Sequence, residues 1–248
     1  MNRLEIRAFP PLEYAANEAM NTLATNLFYC GRDIRTIMIT SRYAGEGKSF
    51  VAMNLMRTLA GLNRRVLLLD TDLRRSGIAG GYRLRFDSEK AWGLAHFLAG
   101  MCPAERIVYA TNIDRAYMIP VGREVSSPLR LLSSPRMGQL MTSLRERFDL
   151  VLVDTSPAGI IADAVEIAKY CDGALAVVGY NRGKKQEIGE LRQTIEKTGC
   201  RVLGAVLNNV DFRSFSNRKH YYNSERYLSC FDSGDCSGQK IAGTRSRR

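Results

Sequence analysis

A short apolar run that leads through a glycine-bearing turn into a helix constrains this chain more than any other stretch. The run is Thr36 to Thr40, whose β-branched residues favour a buried strand. The turn ends in Gly47-Lys48-Ser49, and residues 50 to 59 are typical of a helix. Strand, turn and helix in this order predict a phosphate-binding loop, in which backbone N–H groups and a helix N-terminus face an anion.

The residues of this loop have separate expected roles. Glycines let the backbone bend, the Lys48 ammonium would neutralise the β- and γ-phosphates, and the Ser49 hydroxyl would ligate Mg²⁺. One departure from the common pattern is Arg42, which stands where a small residue is usual. The candidate nucleotide-binding residues here are Gly45, Glu46, Gly47, Lys48, Ser49 and Phe50.

Acidic residues follow two further apolar runs that read as strands buried on both faces. Asp70 ends the run from Arg65 to Asp70, and Asp72 follows two residues later. Asp154 ends the run from Phe148 to Asp154. The carboxyl ends of parallel strands face one ligand crevice, so we expect these carboxylates to converge near Lys48. Asp154 has the form of a Walker B acid, which holds a metal, and a solvated acidic loop is the alternative for the first pair.

Strands and helices alternate along the chain, which predicts an α/β fold. The expected architecture is a mostly parallel central sheet flanked by helices, as in P-loop NTPases. We expect a helix from Leu12 to Phe28, after an extended arm of residues 1 to 10, and late strands at Gly173 to Val178 and Val202 to Leu207. Residues 1–212 would form the folded domain, and residues 213–248 a flexible basic tail.

The composition of the chain bears on nucleic-acid binding, on metal binding by cysteines and on membrane insertion. The net charge is +11, but the basic residues are spread along the chain, which indicates only a weak bias toward polyanionic surroundings. No nucleic-acid partner is expected. The six cysteines have no metal-ligand spacing, which favours reduced thiols. The strongest apolar runs span only four or five residues, whereas a membrane helix needs about 20, and the N-terminus does not resemble a signal peptide.

Three elements together raise a family resemblance. They are the loop Gly45 to Ser49, the acidic motif Asp70-x-Asp72-x-Arg74, and Asp154-x-x-Pro157. This set resembles bacterial tyrosine kinases of the capsular-polysaccharide (CpsD/CapB) type and the cytoplasmic half of Wzc, and the resemblance extends over nearly the whole chain.

The resemblance implies an ATP- and Mg²⁺-dependent protein tyrosine kinase that phosphorylates its own tail and regulates exopolysaccharide synthesis and export. Lys48, Asp70 and Asp72 would be catalytic, with one of the two acids acting as base, and Asn208 or Asn209 would contact the adenine unless it is a plain strand-end turn. Arg74 would either meet phosphate charge or pair with an acid. The implied metal ligands are Ser49, Asp70, Asp72 and Asp154, and the implied phosphate acceptors are Tyr221, Tyr222 and Tyr227.

The resemblance also implies partners: a transmembrane activator of the polysaccharide co-polymerase type, a tyrosine phosphatase, and a cytoplasmic location at the membrane through that activator. The family forms rings through a Glu-x-x-Arg-x-x-Arg motif. Here Glu18 remains, but Asn21 and Ala24 replace both arginines, so ring assembly is in doubt. The loop also carries Ala44 where the family commonly has proline.

Two other functions compete with the kinase. A ParA/MinD-like ATPase that organises membrane or DNA would carry a signature lysine five positions before Lys48, where this chain has Tyr43. A degenerate nucleotide-binding module without turnover is the third possibility, which Arg42 and the altered helix motif keep open.

Overall fold

A nine-stranded sheet runs through the part of the chain that this computed structural model describes, namely residues 2–31, 33–88 and 91–210. Its strands lie in the order β4-β1-β5-β6-β3-β7-β2-β8-β9. Only the pairs β1–β4 and β5–β6 are antiparallel among the described strands, which confirms the prediction of a mostly parallel sheet. The strands are β1 Asn2–Ile6, β2 Thr36–Ser41, β3 Val66–Asp70, β4 Leu84–Phe86, β5 Tyr109–Thr111, β6 Ala116–Ile119, β7 Leu150–Asp154, β8 Gly173–Gly179 and β9 Arg201–Asn208.

Helices connect most of these strands. They are α1 Tyr14–Tyr29, α2 Lys48–Gly61, α3 Ile78–Gly81, α4 Leu94–Leu98, α5 Pro128–Leu132, α6 Pro135–Arg147, α7 Ala162–Ala168 and α8 Lys185–Glu196, with one 3-10 turn at Ala104–Arg106. The helix predicted from Leu12 begins two residues later. The predicted extended arm contains β1, which pairs with β4 and β5 at one side of the sheet.

The central strands β2, β3, β7 and β8 are buried on both faces, as their apolar sequences predict. Along β3, Leu67 and Leu69 join one core cluster while Val66 and Leu68 join the other, because successive side chains of a strand point to opposite faces. Helices α1 and α2 cover the second face, and residues of α6 and α7 pack on the first. A sheet covered in this way needs apolar residues at every strand position, which is why these runs show no alternation.

The strand order places three chemically important segments side by side. Strand β2 lies between β7 and β8, and β7 lies between β2 and β3. The carboxyl ends of β2, β7 and β3 therefore meet at one edge of the sheet, and they lead into the glycine loop, Asp154 and Asp70 respectively. This edge is the expected ligand crevice of an open α/β sheet.

Two further sequence predictions concern the tail at residues 213–248 and membrane-spanning segments. The predicted tail, including Tyr221, Tyr222 and Tyr227, lies outside the described residues, so the domain boundary at residue 212 stays a prediction. Within the described ranges, no helix has both the length and the apolar character that crossing a bilayer requires.

Candidate active site

The glycine loop has the geometry of an anion cradle. It leaves β2 after Ser41 and turns through Gly45 and Gly47, whose φ angles are +77° and +93°. Helix α2 then begins at Lys48, so its N-terminus opens directly behind the turn. Lys48 is only 8% exposed. Burial raises the pKa of Asp72 and of Asp154, and the Lys48 charge lies close enough to both carboxyls to oppose that rise. The loop, the helix end and the lysine therefore share one location.

Gly47 is required here by space as well as by its φ angle. A Cβ atom at this position would lie 1.9 Å from Nδ2 of Asn208, much closer than van der Waals contact allows. That Nδ2 atom donates a hydrogen bond of 2.9 Å to the backbone carbonyl of Glu46. The structure thus places Asn208, at the end of β9, against the phosphate loop, and its expected contact with adenine stays a prediction.

The carboxylate of Glu46 braces the loop from inside. This side chain is 1% exposed, and its two oxygens accept backbone N–H groups from Tyr43, at 2.8 Å, and from Gly179, at 3.1 Å. Burial of a carboxylate is costly unless hydrogen bonds replace water, and these two donors do so. The side chain of Glu46 therefore supports the loop, while its backbone remains part of the predicted nucleotide site.

Two buried carboxylates stand side by side at the crevice. Asp70 of β3 and Asp154 of β7 are direct partners in the strand register, and each is 1% exposed. The hydroxyl of Ser49 donates to Oδ2 of Asp154 at 2.6 Å, and the hydroxyl of Ser76 donates to Oδ2 of Asp70. The structure therefore brings the loop serine and the predicted Walker B acid into direct contact.

Burial in the crevice changes the proton affinities of these acids. Burial, and next the charge of Asp154, raise the pKa of Asp70 well above its usual range. Burial raises the pKa of Asp154 to about 7, although the Ser49 hydrogen bond and the Lys48 charge oppose this shift. Burial also raises the pKa of the half-buried Asp72. Such shifts, in a crevice at the ends of strands, are typical of functional sites.

The carboxylate of Asp154 is also incompletely satisfied. Its Oδ1 atom is buried and has no hydrogen-bond partner within the described part of the chain, although a buried polar atom normally has one. Among the described residues, no three His, Cys, Asp or Glu side chains form a ready metal cage. The set instead fits Mg²⁺ as nucleotide sites hold it, with one serine, one or two carboxylates, phosphate oxygens and water.

Arg74 pairs with an acid, which decides between the two roles predicted for it. Its Nε and Nη2 atoms donate to the two carboxylate oxygens of Asp163, at 2.5 and 3.1 Å. Asp163 lies in the first turn of α7 and is buried. The bidentate pair fixes the segment after Asp72 to the first turn of α7. The sequence does not indicate this pair, because its two residues are 89 positions apart.

Two contacts explain the unusual residues of the loop. The Tyr43 hydroxyl donates to Glu187 at 2.8 Å, and Arg42 forms an ion pair of 3.2 Å with Glu190, so both residues contact α8. A Cβ atom at Gly159 would lie 2.3 Å from Cδ of Arg42, which shows how closely that side chain is packed. Arg42 is therefore built into the wall of the loop. Its partners were missed because they lie more than a hundred residues away in sequence.

The sequence of this chain is similar to that of a known domain family and to those of characterised proteins. Residues 34–198 match the AAA domain family. The chain is 34% identical over 196 residues to the tyrosine-protein kinase CpsD of Streptococcus pneumoniae, an alignment that covers 79% of this chain and 85% of that protein.

Solved structures of related proteins also match this chain. The kinase domain of the Escherichia coli tyrosine kinase ETK matches with a TM-score of 0.75 and 28% identity, over 80% of this chain and 77% of that one. The cell division ATPase MinD of Pyrococcus furiosus matches with a TM-score of 0.59 and 29% identity, over 73% of this chain and 74% of that one. Both likenesses confirm the P-loop NTPase fold, and the better structural match, together with the CpsD relative, favours the kinase branch over the MinD-like alternative. The chain therefore belongs to the family of bacterial tyrosine-protein kinases that includes CpsD.

Proposed function

We propose that this chain is an ATP- and Mg²⁺-dependent protein tyrosine kinase that phosphorylates tyrosines of its own C-terminal segment. The observation that carries the proposal is the contact between Ser49 and Asp154, with Asp70 in register beside Asp154. Phosphoryl transfer depends on positioning and charge neutralisation, and this arrangement supplies both.

The phosphate loop would hold the nucleotide. Backbone N–H groups from Gly45 to Ser49 and the N-terminus of α2 would bind the phosphate oxygens, and the Lys48 ammonium would offset the charge on the transferred group. Glu46 and Asn208 would keep the loop in its binding shape through the hydrogen bonds described above. These donors are in place before the nucleotide arrives, so little reorganisation is needed during transfer.

Ser49 and Asp154 would hold the cation, and the free Oδ1 atom of Asp154 supports this assignment. When bound, Mg²⁺ supplies positive charge that neutralises the phosphate oxygens. Asp70 is less accessible, because it is buried and already accepts hydrogen bonds from Ser76 and from the backbone of Asp72. Its contribution would be to complete the negative charge around the cation.

Asp72 is the better candidate for the base. It is half-buried rather than enclosed, and among the described residues only backbone N–H groups, such as that of Arg75 at 3.2 Å, donate to its carboxylate. It would orient the tyrosine hydroxyl and accept its proton as the oxygen attacks the γ-phosphorus and the bond to ADP breaks. A raised pKa suits this role, because a base works best when its pKa lies near the working pH.

The acceptors would be Tyr221, Tyr222 and Tyr227, presented to the site of another copy. We further propose a role in exopolysaccharide synthesis and export at the cytoplasmic face of the membrane. A transmembrane activator of the polysaccharide co-polymerase type would stimulate the enzyme, and a tyrosine phosphatase would reverse it. These proposals follow from family membership and from the tyrosine cluster in the sequence.

One experiment separates the three candidate functions. The purified chain is incubated with γ-labelled ATP and Mg²⁺, and the label is followed into phosphotyrosine and into free phosphate. A kinase transfers label to tyrosine, a MinD-like ATPase releases it only as free phosphate, and a degenerate module leaves ATP intact.

A mixing experiment tests transfer between copies. A Lys48→Met chain is combined with an active chain in which Tyr221, Tyr222 and Tyr227 are phenylalanine. The proposal predicts label on the Lys48→Met chain. If neither chain is labelled although the wild type is, transfer between copies is wrong, and full labelling of the phenylalanine chain alone would exclude these acceptors.

A further inference from the structure

A cavity of about 510 Å³ lies at the edge of the sheet opposite the nucleotide site. The cavity is at the amino ends of β2, β3 and β7. The lining residues that directly precede these strands are Ile34 and Arg35 for β2, Arg64 and Arg65 for β3, and Asp149 for β7. The end of α1 and the end of α6 close its sides. Its volume is within the range of about 300–1,000 Å³ found for small-ligand pockets.

The rim of this arginine cavity carries an excess of positive charge. Four exposed arginines line it, against two acidic residues. Within the described ranges, none of the four guanidinium groups forms an ion pair. One acid is partly committed, because Asp149 accepts the backbone N–H of Arg65 at 2.8 Å. The four arginines are Arg35, Arg64, Arg65 and Arg147.

The floor of the cavity is apolar and aromatic. Leu27, Phe148 and Leu150 are buried residues that line it, and Phe28 lies at its side. Arg64 sits over the ring of Phe28 at 5.1 Å, and Arg65 sits over the ring of Phe148 at 5.6 Å. Rings that hold guanidinium groups in place reduce the entropy lost when those groups bind an anion.

An apolar floor beneath unpaired guanidiniums matches a ligand with an aromatic ring and a doubly charged group. Guanidinium binds phosphate through parallel hydrogen bonds that are stronger than neutral ones, and arginine clusters are a recurring solution for phosphorylated side chains. We propose that the arginine cavity binds a phosphotyrosine side chain from residues 217–228 of a second copy. This inference rests on the proposed function, which supplies the phosphotyrosine.

The charge of that segment supports the choice of ligand. Residues 217–228 contain Arg218, Lys219 and Arg226 against Glu225, a net charge of +2 before modification. Each phosphate adds roughly −1.5 to −2, so three phosphates reverse the sign to about −3. The unmodified segment is repelled by the arginine rim, and the phosphorylated segment is attracted to it. Docking would therefore follow phosphorylation.

The test is a binding measurement on the full-length chain with Tyr221, Tyr222 and Tyr227 changed to phenylalanine, which cannot modify itself at these positions. Synthetic peptides of residues 217–228, labelled with a fluorophore, carry three phosphotyrosines, three tyrosines or three phosphoserines at these positions. No ATP is added, so the result does not depend on kinase activity. Arg64→Gln with Arg147→Gln is compared with Arg85→Gln and Arg106→Gln, an exposed arginine pair outside the cavity.

The proposal predicts that the phosphotyrosine peptide binds at least about tenfold more tightly than the other two, and that Arg64→Gln with Arg147→Gln removes about tenfold of this affinity. The control pair should leave it unchanged. Equal loss in both pairs, equal binding of the phosphoserine peptide, or full competition by equimolar inorganic phosphate would overturn it. If ATP never labels tyrosine but the peptide binds as predicted, the proposed function fails and the cavity assignment stands.

Discussion

The hydroxyl of Tyr43 donates a hydrogen bond of 2.8 Å to Glu187, and this contact joins the phosphate loop to the first turn of α8. The second oxygen of Glu187 accepts the backbone N–H of Lys184 at 2.7 Å, so the same carboxylate caps the helix. Arg42 makes a parallel connection to Glu190, one turn further along α8. The loop is thus supported from outside by a helix that contributes nothing to the predicted phosphate contacts.

This support predicts a binding defect without loss of the fold. Tyr43→Phe removes the hydrogen bond to Glu187 but keeps the ring, so the loop becomes less well ordered before nucleotide binds. We expect ATP affinity, measured by calorimetry, to fall about three- to tenfold, as for one hydrogen bond to a charged partner at a partly exposed site. The matched control is Tyr29→Phe, because Tyr29 is 84% exposed and ends α1, next to Phe28, which lines a cavity at the edge of the sheet opposite the loop. Equal affinity in the two variants would contradict the supporting role.

Gly47 and Gly189 form a second matched pair. Gly47→Ala would force a Cβ atom into Asn208 and hold alanine at a φ of +93°, a conformation that alone costs about 1–2 kcal/mol. Gly189 lies inside α8, and among the described residues a Cβ atom added there would have nothing within 4 Å outside the local helix backbone, so Gly189→Ala should stabilise the helix by up to about 1 kcal/mol.

The two substitutions are expected to change the unfolding temperature in opposite directions. Gly47→Ala should abolish measurable nucleotide binding and lower the unfolding temperature, whereas Gly189→Ala should keep binding and raise that temperature slightly. Thermal unfolding with and without ATP measures both effects. Normal binding by Gly47→Ala would show that Asn208 moves aside and that the loop tolerates a side chain.

The raised pKa of Asp154 predicts an unusual dependence of stability on pH. Because its folded pKa is about 7 and its ordinary value is 3.8, the folded state binds more protons than the unfolded state between these values. Stability of the nucleotide-free protein should therefore fall as pH rises from about 4 to about 7, by at most about 1.4 kcal/mol per pH unit for this group. The contribution is fully present below pH 4 and lost above pH 7.

Asp154→Asn is the variant that isolates this effect. Asparagine cannot ionise, so denaturant unfolding of the variant should show a flatter pH profile from 4 to 7, with the separate contribution of Asp70 remaining. Mg²⁺ and nucleotide together should also flatten the wild-type profile, because positive charge favours the ionised carboxylate. An identical slope in the wild type and Asp154→Asn would contradict the assignment.

The sequence predicted the parts of this structure that depend on local pattern. Apolar runs such as Val66–Asp70 and Leu150–Asp154 are recognisable because a strand buried on both faces has no polar position, and their terminal acids then share one sheet edge. The glycine loop is equally local. The family resemblance, carried by these motifs, is confirmed by the CpsD relative.

The remaining features depend on contacts between distant segments. Short strands such as Leu84–Phe86 and Tyr109–Thr111 carry too few residues to show a period, and they form because β1 and β6 offer partners. The pair Arg74–Asp163 and the contact of Asn208 with the loop join residues 89 and 162 positions apart. No local sequence pattern indicates such pairs, so only the folded structure shows these contacts.

The most direct test of the central claim is to locate the phosphate after incubation with ATP and Mg²⁺. Wild type, Lys48→Met and the exposed-lysine control Lys185→Met are compared, with modified residues mapped by tandem mass spectrometry. Loss of one charge-stabilising group typically costs two to three orders of magnitude in rate, so phosphotyrosine should form in the wild type and in Lys185→Met and be lost in Lys48→Met, with every chain folded. Phosphotyrosine in Lys48→Met at the wild-type rate, or none in the wild type, would contradict the account.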